Sequence, residues 1–483
     1  MSCVDPIPPQ SAALRRWLSI VGIGEDGIDA LSPVARGLIE DAEIVFGGKR
    51  HLALAAALIR GAARPWRSPF DRAVDEVQAQ RGRQICVLAS GDPFVYGVGA
   101  VLMRQIDPAE TLVVPAPSAF SLAAARLGWA LPETAQVSLH GRALDLVRPH
   151  LQPGMRVLVL TSGGDSPEEL ARLMVSSGFG ESHFIVLEVL GGIRERIRAT
   201  TAANFDFREV NDLNVVAIEV KAGPDARVIA RAPGLPDAMF EHDGQITKRE
   251  IRALTLSSLA PRRGELLWDI GAGSGSVAIE WMLADPSLRA IAIERRPDRA
   301  ARIRRNAALF GVPGLEIVEG ETPMALECLP RPDAIFIGGG AGHHNTLDTA
   351  TSMLRTGGRL VVNAVTLETE ALLISRHAAL GGELIRWAIA RADAIGGSSP
   401  PRCGEGSGVG VGRDGEDRAP RHAPPPQPSP NRNRVYAGFG HSIKQSKSAT
   451  ADFDRGEEVT VARPQLMGWR PAMPVTQWTW IKP

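Results

Sequence analysis

Little in this chain points to a stapled, membrane-bound or nucleic-acid-binding protein. Its 483 residues hold only four cysteines, Cys3, Cys86, Cys328 and Cys403, scattered without metal-ligand spacing. That argues against a disulfide framework or a structural zinc and fits a reduced compartment. Lys plus Arg and Asp plus Glu number 54 each, for a formal net charge of zero. No global field therefore draws the chain to nucleic acid or anionic lipid. No apolar run reaches the roughly 18 residues of a membrane span, and the N-terminus lacks a basic-then-apolar signal pattern. The expectation is a cytoplasmic protein with no metal, no membrane and no nucleic-acid partner. No activated serine or cysteine nucleophile is evident either. Hydrophobic residues (44%) and charged residues (22%) stand at ordinary globular levels, ample for the cores of two or three domains.

What is present centres on Asp269-Ile-Gly-Ala-Gly-Ser-Gly-Ser276. The apolar run 265–270 before it reads as a buried strand, and Ser276-Val-Ala-Ile-Glu-Trp281 as the opening of a helix. Glycines at 271, 273 and 275 allow a tight turn and a close approach to a ligand. Ala290-Ile-Ala-Ile293 then ends in Glu294, an acid at a strand tip, where such α/β units accept hydrogen bonds from ribose hydroxyls. Strand, Asp-x-Gly-x-Gly-x-Gly, helix, strand and acid together resemble the S-adenosylmethionine (SAM) pocket of class I methyltransferases. NAD binding is the rival; the leading Asp269 and the Asp-x-Gly spacing favour SAM.

The chain divides around this unit. Residues 1–16 form a polar leader. Strand-like runs at 17–21, 44–46, 85–88, 112–115, 157–160, 184–187 and 215–218 alternate with helical segments such as 118–127, which predicts an α/β domain over 17–221. Residues 222–239, rich in Pro and Gly, read as a linker. A second α/β domain over 240–397 opens with Thr247 as helix N-cap and Glu250 completing a capping box. Its strands fall at 266–270, 290–293, 315–318, 333–337 and 359–363, with Ala388-Ile-Ala390 as the sixth. Residues 398–467 are dominated by Gly, Pro, Ser and Arg and are expected to be a disordered insertion. Order returns at 468–483, which supplies a last strand.

The first half has its own constellation: Gly91-Asp-Pro-Phe-Val-Tyr-Gly97, Val114-Pro-Ala-Pro-Ser-Ala-Phe120, Ser138-Leu-His-Gly-Arg142 and Leu187-Glu-Val-Leu-Gly191. In this order they resemble the tetrapyrrole methylases, a SAM-dependent fold unrelated to class I, and within them the corrin C5-methylating CbiE type. The resemblance implies a SAM cleft lined by Gly22, Gly24, Gly91, Asp92, Tyr96 and Ser118. Many relatives have Gly-Pro-Gly-Asp after the first strand, where this chain has Gly24-Glu-Asp-Gly27. The second half resembles the companion CbiT-type methyltransferases. Its implied SAM contacts are Thr247, Asp269, Gly271, Ala272, Gly273, Ser274, Gly275, Glu294, Glu321 and Thr322, with Gly338-Gly-Gly340 turned to substrate.

Fused in this order, the halves resemble the bifunctional CobL family of cobalamin synthesis. That implies a two-domain α/β enzyme, a tetrapyrrole-methylase fold followed by a Rossmann-like class I fold. With two SAM sites it would methylate C5 and C15 of precorrin-6B/6Y and decarboxylate the C12 acetate, giving precorrin-8X. The sulfonium is a strong electrophile and the ring's enamine-like carbons are already nucleophilic, so the protein mainly aligns them and excludes water. The substrate is a polycarboxylate tetrapyrrole, and Lys248, Arg249, Arg252, His343 and His344 are candidates to hold its carboxylates. Relatives of both domains self-associate, so a homo-oligomer is expected. Two other readings stay open: a catalytically lapsed SAM-binding module, and a class I RNA methyltransferase. The latter is disfavoured by the zero charge and by Gly338-Gly-Gly standing where an Asn/Asp-Pro-Pro-Tyr motif would be.

Overall fold

The structure, a computed structural model, describes residues 16–67, 72–342, 345–394 and 467–483. Two compact units emerge: 1–387 with 474–483, and 388–473. The larger unit carries three sheets and the smaller a two-stranded ladder.

The first sheet is wholly parallel, in the order β3-β2-β4-β1-β5, with β1 Leu18–Ile23, β2 Ile44–Gly47, β3 Ala62–Pro65, β4 Ile85–Ser90 and β5 Thr111–Val114. Its inner strands are near-continuous apolar runs because helices cover both faces. A second, mixed sheet in the order β6-β7-β10-β8-β9 completes this half, with β6 Thr134–Ser138, β7 Arg156–Leu160, β8 His183–Glu188, β9 Arg196–Thr201 and β10 Asn214–Glu219. The single α/β block expected over 17–221 is thus two sheets, each with its own core. Three strands escaped the sequence. β3 is an exposed edge ending in proline, and β9 is another half-exposed edge, so neither carries a buried apolar run. β6 is only partly apolar.

The third sheet runs β13-β12-β11-β14-β15-β19-β16. Its members are β11 Leu266–Ile270, β12 Arg289–Glu294, β13 Glu316–Glu319, β14 Ala334–Ile337, β15 Arg359–Ala364, β16 Glu383–Trp387 and β19 Val475–Ile481. The first five are parallel, and β19 inserts antiparallel between β15 and β16. Helix Ser276–Ala284 is buried on nearly every side, as an interior helix must be. The sixth strand lies at 383–387 rather than 388–390. It is an edge strand with no continuous apolar run, whereas Ala388-Ile-Ala390 opens the smaller unit, where β17 Ala390–Ala394 pairs with β18 Met467–Pro471.

Two further expectations are corrected. Helix Arg249–Leu259 begins one residue later than the Thr247 cap implied, with extended Lys248 in the cap position and no side-chain cap. The linker 222–239 is no spacer: Ala222, Ala226 and Val228 pack on the core of the second sheet, while Ile229 and Leu235 belong to the third sheet's core. The leader, but for Arg16, and the insertion 398–467, but for Met467, lie outside the described residues. No helix among the described residues is long and apolar enough to cross a membrane.

Candidate active site

In the first and third sheets the loops after the C-terminal ends of the parallel strands carry the candidate residues, where open α/β sheets meet their ligands. In the third sheet, Asp269 is the penultimate residue of β11 and is wholly buried. Its Oδ2 accepts the Ala278 N–H at 3.1 Å, and its Oδ1 has no partner. Burial, abetted by the Glu294 charge, pushes this carboxyl up to about 7. Gly271, Gly273 and Gly275 then take φ of +72°, +60° and +75°, a left-handed run that only glycine adopts routinely. A Cβ on Gly271 would meet the Gly339 carbonyl oxygen at 2.6 Å, and one on Gly275 would meet Ile303 at 2.7 Å. A Cβ on Gly273 would make ordinary contact with the Gln245 carbonyl oxygen at 3.5 Å, and at Gly339 the space is open.

Glu294, at the tip of β12, reaches this turn. Its Oε2 accepts the Gly273 N–H at 2.9 Å and its Oε1 the Arg296 N–H at 3.1 Å, which leaves lone pairs for further donors. The Gly320 N–H donates to the Glu294 carbonyl, so the loop bearing Glu321 and Thr322 sits beside it. Thr322 shares a 2.8 Å hydroxyl contact with Thr346, and Glu321 is exposed near Arg295. Asn306, missed by sequence reasoning, braces the turn: its Nδ2 donates to the carbonyls of Ser274 and Glu241, and its Oδ1 accepts the Glu241 N–H. No local pattern marks it, since it lies 32 residues from Ser274 and 65 from Glu241.

Lys248 and Arg249 are exposed at the start of their helix. Arg252 is not available to substrate. It is 0% exposed, its Nε donates to Glu280 at 2.6 Å, and its Nη atoms bind Asp237 and the carbonyls of Thr247 and Leu235. Glu280 also accepts the N–H groups of Gly234 and Leu235, so the pair ties the linker to the domain. A lone glutamate inside the apolar run 277–284 was the available signal for such a partner. His343 and His344 lie outside the described residues.

In the first sheet, three loops crowd together. A Cβ on Gly22 would overlap the Gly91 carbonyl oxygen, and one on Gly91 (φ +55°) would meet the Pro117 oxygen at 2.6 Å. The Gly91 N–H donates to Ile23, and the Ala116 N–H to Gly91. Beside this junction lies a cleft of about 130 Å³ lined by Gly22, Gly24, Asp26, Ala116 and Leu122. Asp92 caps its own turn by accepting the Phe94 N–H, Tyr96 stands exposed with φ +55°, and Ser118 caps helix Ala119–Leu127. A roomier hollow of about 560 Å³ lies between linker residues 230–235 and the ends of helices 249–259 and 276–284. Its lining is mostly apolar and contains no candidate site residue.

The profile of the tetrapyrrole (corrin/porphyrin) methylases matches residues 18–206, and that of a precorrin methyltransferase domain matches 238–402. A Sinorhizobium precorrin-6Y C(5,15)-methyltransferase [decarboxylating] is 52% identical over 98% of this chain and 98% of its own length. The chain belongs to the precorrin-6Y C5,15-methyltransferase (decarboxylating) family. A Mycobacterium tuberculosis member is 40% identical over 76% of this chain and 92% of its own. A Salmonella typhimurium cobalt-precorrin-6B C(15)-methyltransferase (decarboxylating) is 39% identical over 28% of this chain and 70% of its own. As a member of this family the chain is a SAM-dependent methyltransferase, and methylation with decarboxylation in cobalamin biosynthesis is its activity.

Proposed function

We propose that the loop clusters of the first and third sheets are two separate methyl-transfer sites acting on one corrin precursor. The N-terminal domain (17–221) methylates C5. The C-terminal domain (240–397 with 468–483) methylates C15 and removes CO₂ from the C12 acetate, so that a precorrin-6B/6Y substrate leaves as precorrin-8X. The observation that carries this reading is a pair of glycine-built loop clusters at the C-terminal ends of parallel strands in two distinct sheets.

The residues present fit SAM in the C-terminal cleft. Open space at Gly339, spare lone pairs on Glu294, and the unpartnered buried oxygens of Asp269 and Ser274 form a polar cradle beside the glycine turn. Bound there, SAM supplies an electrophilic methyl group on a positively charged sulfur. Glu294 would take the ribose hydroxyls, beside a glycine turn whose own N–H groups at 271, 273 and 275 are held by Ile293, Glu294 and Ala272. Glu321 and Thr322 would border the adenine, and Thr247 the amino-acid end. Lys248 and Arg249 would hold substrate carboxylates through charge-assisted bonds. In the N-terminal half Gly22 and Gly91 let the loops after the first, fourth and fifth strands close on one another beside the cleft, and Asp92, Tyr96 and Ser118 would meet the ligand from the adjoining loops. The protein's part in both is to align carbon, methyl and sulfur and exclude water.

The test is incubation with labelled SAM and a precorrin-6-type tetrapyrrole. Gain of two methyl groups with loss of CO₂ is expected; an unchanged mass would refute the reading. Gly273→Arg, which fills the C-terminal cradle, should abolish C15 methylation and CO₂ release while C5 methylation survives. Loss of both would contradict independent sites.

A further inference from the structure

Beside the N-terminal cleft stands a side-chain cluster that the sequence did not single out. Arg50 follows β2, and its guanidinium is fixed on three sides. Nη1 pairs with Glu25, and Nη2 donates to Ser90 Oγ at 2.6 Å and lies 3.1 Å from His51 Nε2. Ser90 Oγ is itself 2.9 Å from that nitrogen. Arginine has only donors, so Nε2 must be the acceptor and the imidazole neutral. Burial and the neighbouring Arg50 charge act the same way, pushing His51 down to about 4. The Arg50 side chain nevertheless keeps 40% of its surface in solvent, at the strand edge where Ser90 gives way to Gly91.

Glu25 also touches the loop after β8. A Cβ on Gly192 would meet Glu25 Cβ at 2.9 Å, and one on Gly191 would come within 4 Å of Asp26 and Leu122, both lining the cleft. This loop is built rather than slack. Arg126 grips Glu195 through two bonds of 2.6 and 3.0 Å, Glu195 accepts the Gly191 N–H, and buried Val189 is held at φ +51°. A β-branched residue tolerates that conformation only where its surroundings impose it. At the tip of this braced loop Ile193 is fully exposed, next to exposed Arg194. Scattered surface apolar residues need no explanation, but a guanidinium fixed on Glu25 and an isoleucine that follows Gly192, itself packed on Glu25, make a two-part chemistry.

We infer that Arg50 and Ile193, both set around Glu25, contact the substrate at the N-terminal methyl-transfer site, the guanidinium taking a peripheral carboxylate and the isoleucine the apolar face of the macrocycle. The inference rests on the reading of the N-terminal cleft as the C5 site. Preorganisation by Glu25, Ser90 and His51 suits Arg50 to anion binding, because little side-chain entropy remains to be lost.

Arg50→Gln, Arg50→Lys and Ile193→Ser are compared in the full-length protein, using the precorrin-6-type tetrapyrrole. The C5 and C15 steps are separated by label position and SAM affinity is read by calorimetry. Arg50→Gln should raise KM of the tetrapyrrole for C5 methylation roughly tenfold or more, as loss of a charge-assisted bond does. Arg50→Lys should fall between, since an ammonium cannot hold Glu25 and Ser90 in the same fork. Ile193→Ser should raise the same KM several-fold. SAM affinity, C15 methylation and CO₂ release should persist in all three, which also reports that the chain has folded. Weakened SAM binding with an unchanged tetrapyrrole KM would make Arg50 a mere brace and overturn the inference, as would a KM within twofold of the parent in Ile193→Ser. Failure of the underlying reading looks different: C5 methylation would then survive Gly22→Ala.

Discussion

Replacing Asp269 by asparagine should change how the C-terminal domain responds to pH more than how it folds. Asp269 is fully buried, one oxygen bonded to the Ala278 N–H and the other without a partner, and its carboxyl is pushed up to about 7 from an ordinary 3.8. An acid with a raised folded value keeps a proton in the fold that the open chain releases. Its stabilising contribution is complete below 3.8 and is lost as pH rises through about 7. A shift of this size corresponds to about 4 kcal/mol over the whole range, of which about 2 kcal/mol falls between pH ~5.5 and ~7. Asparagine keeps an oxygen for the Ala278 N–H but has no proton to lose. Between pH ~5.5 and ~8 the parent should therefore lose about 2 kcal/mol more than Asp269→Asn. Hydrogen–deuterium exchange of peptides covering 266–284, corrected for intrinsic rates, reads this locally and avoids assuming two-state unfolding of a multidomain chain. Parallel pH profiles for parent and variant would show that Asp269 is ionised throughout, and the reasoning from its burial would fail.

Other substitutions test the braces. Arg252→Met should cost about 3–5 kcal/mol in denaturant unfolding, because Glu280 and Asp237 are left facing a buried site without their cation. The double change with Glu280→Gln should recover part of that loss, and a single variant as stable as the parent would refute the account. Asn306→Ala strands the Ser274 carbonyl and the Glu241 N–H; SAM affinity at the C-terminal site should fall roughly five- to tenfold, about the worth of one or two buried bonds. Gly22→Ala places a methyl group on the Gly91 carbonyl and the Ala116 nitrogen, so C5 methylation should be lost while CO₂ release continues.

Legibility in the sequence followed the range of the interaction. The turn 271–275 was readable because three glycines at alternate positions encode their own left-handed backbone, and Glu294 because an acid closing an apolar strand is a local signal. The four inner parallel strands of the third sheet, β11, β12, β14 and β15, were readable for the same reason, as helices on both faces demand continuous apolar runs. Edge strands β3, β9 and β16 were missed or misplaced because half-exposed strands carry no such run. Arg252 was misjudged because a basic residue on a helix start looks solvated until Glu280, 28 residues on, is seen to face it. Asn306, and Arg50 with Glu25 and Ser90, were invisible for a related reason: each joins segments 25 or more residues apart. A glycine turn can name its ligand, since the ligand approaches the backbone itself. The groups that aim the turn, and the ones that meet the substrate beyond it, are chosen by tertiary neighbours. The two domains should therefore differ most, under substitution, in those braces: Asn306 acting on SAM affinity at one site, and Arg50 acting on tetrapyrrole affinity at the other.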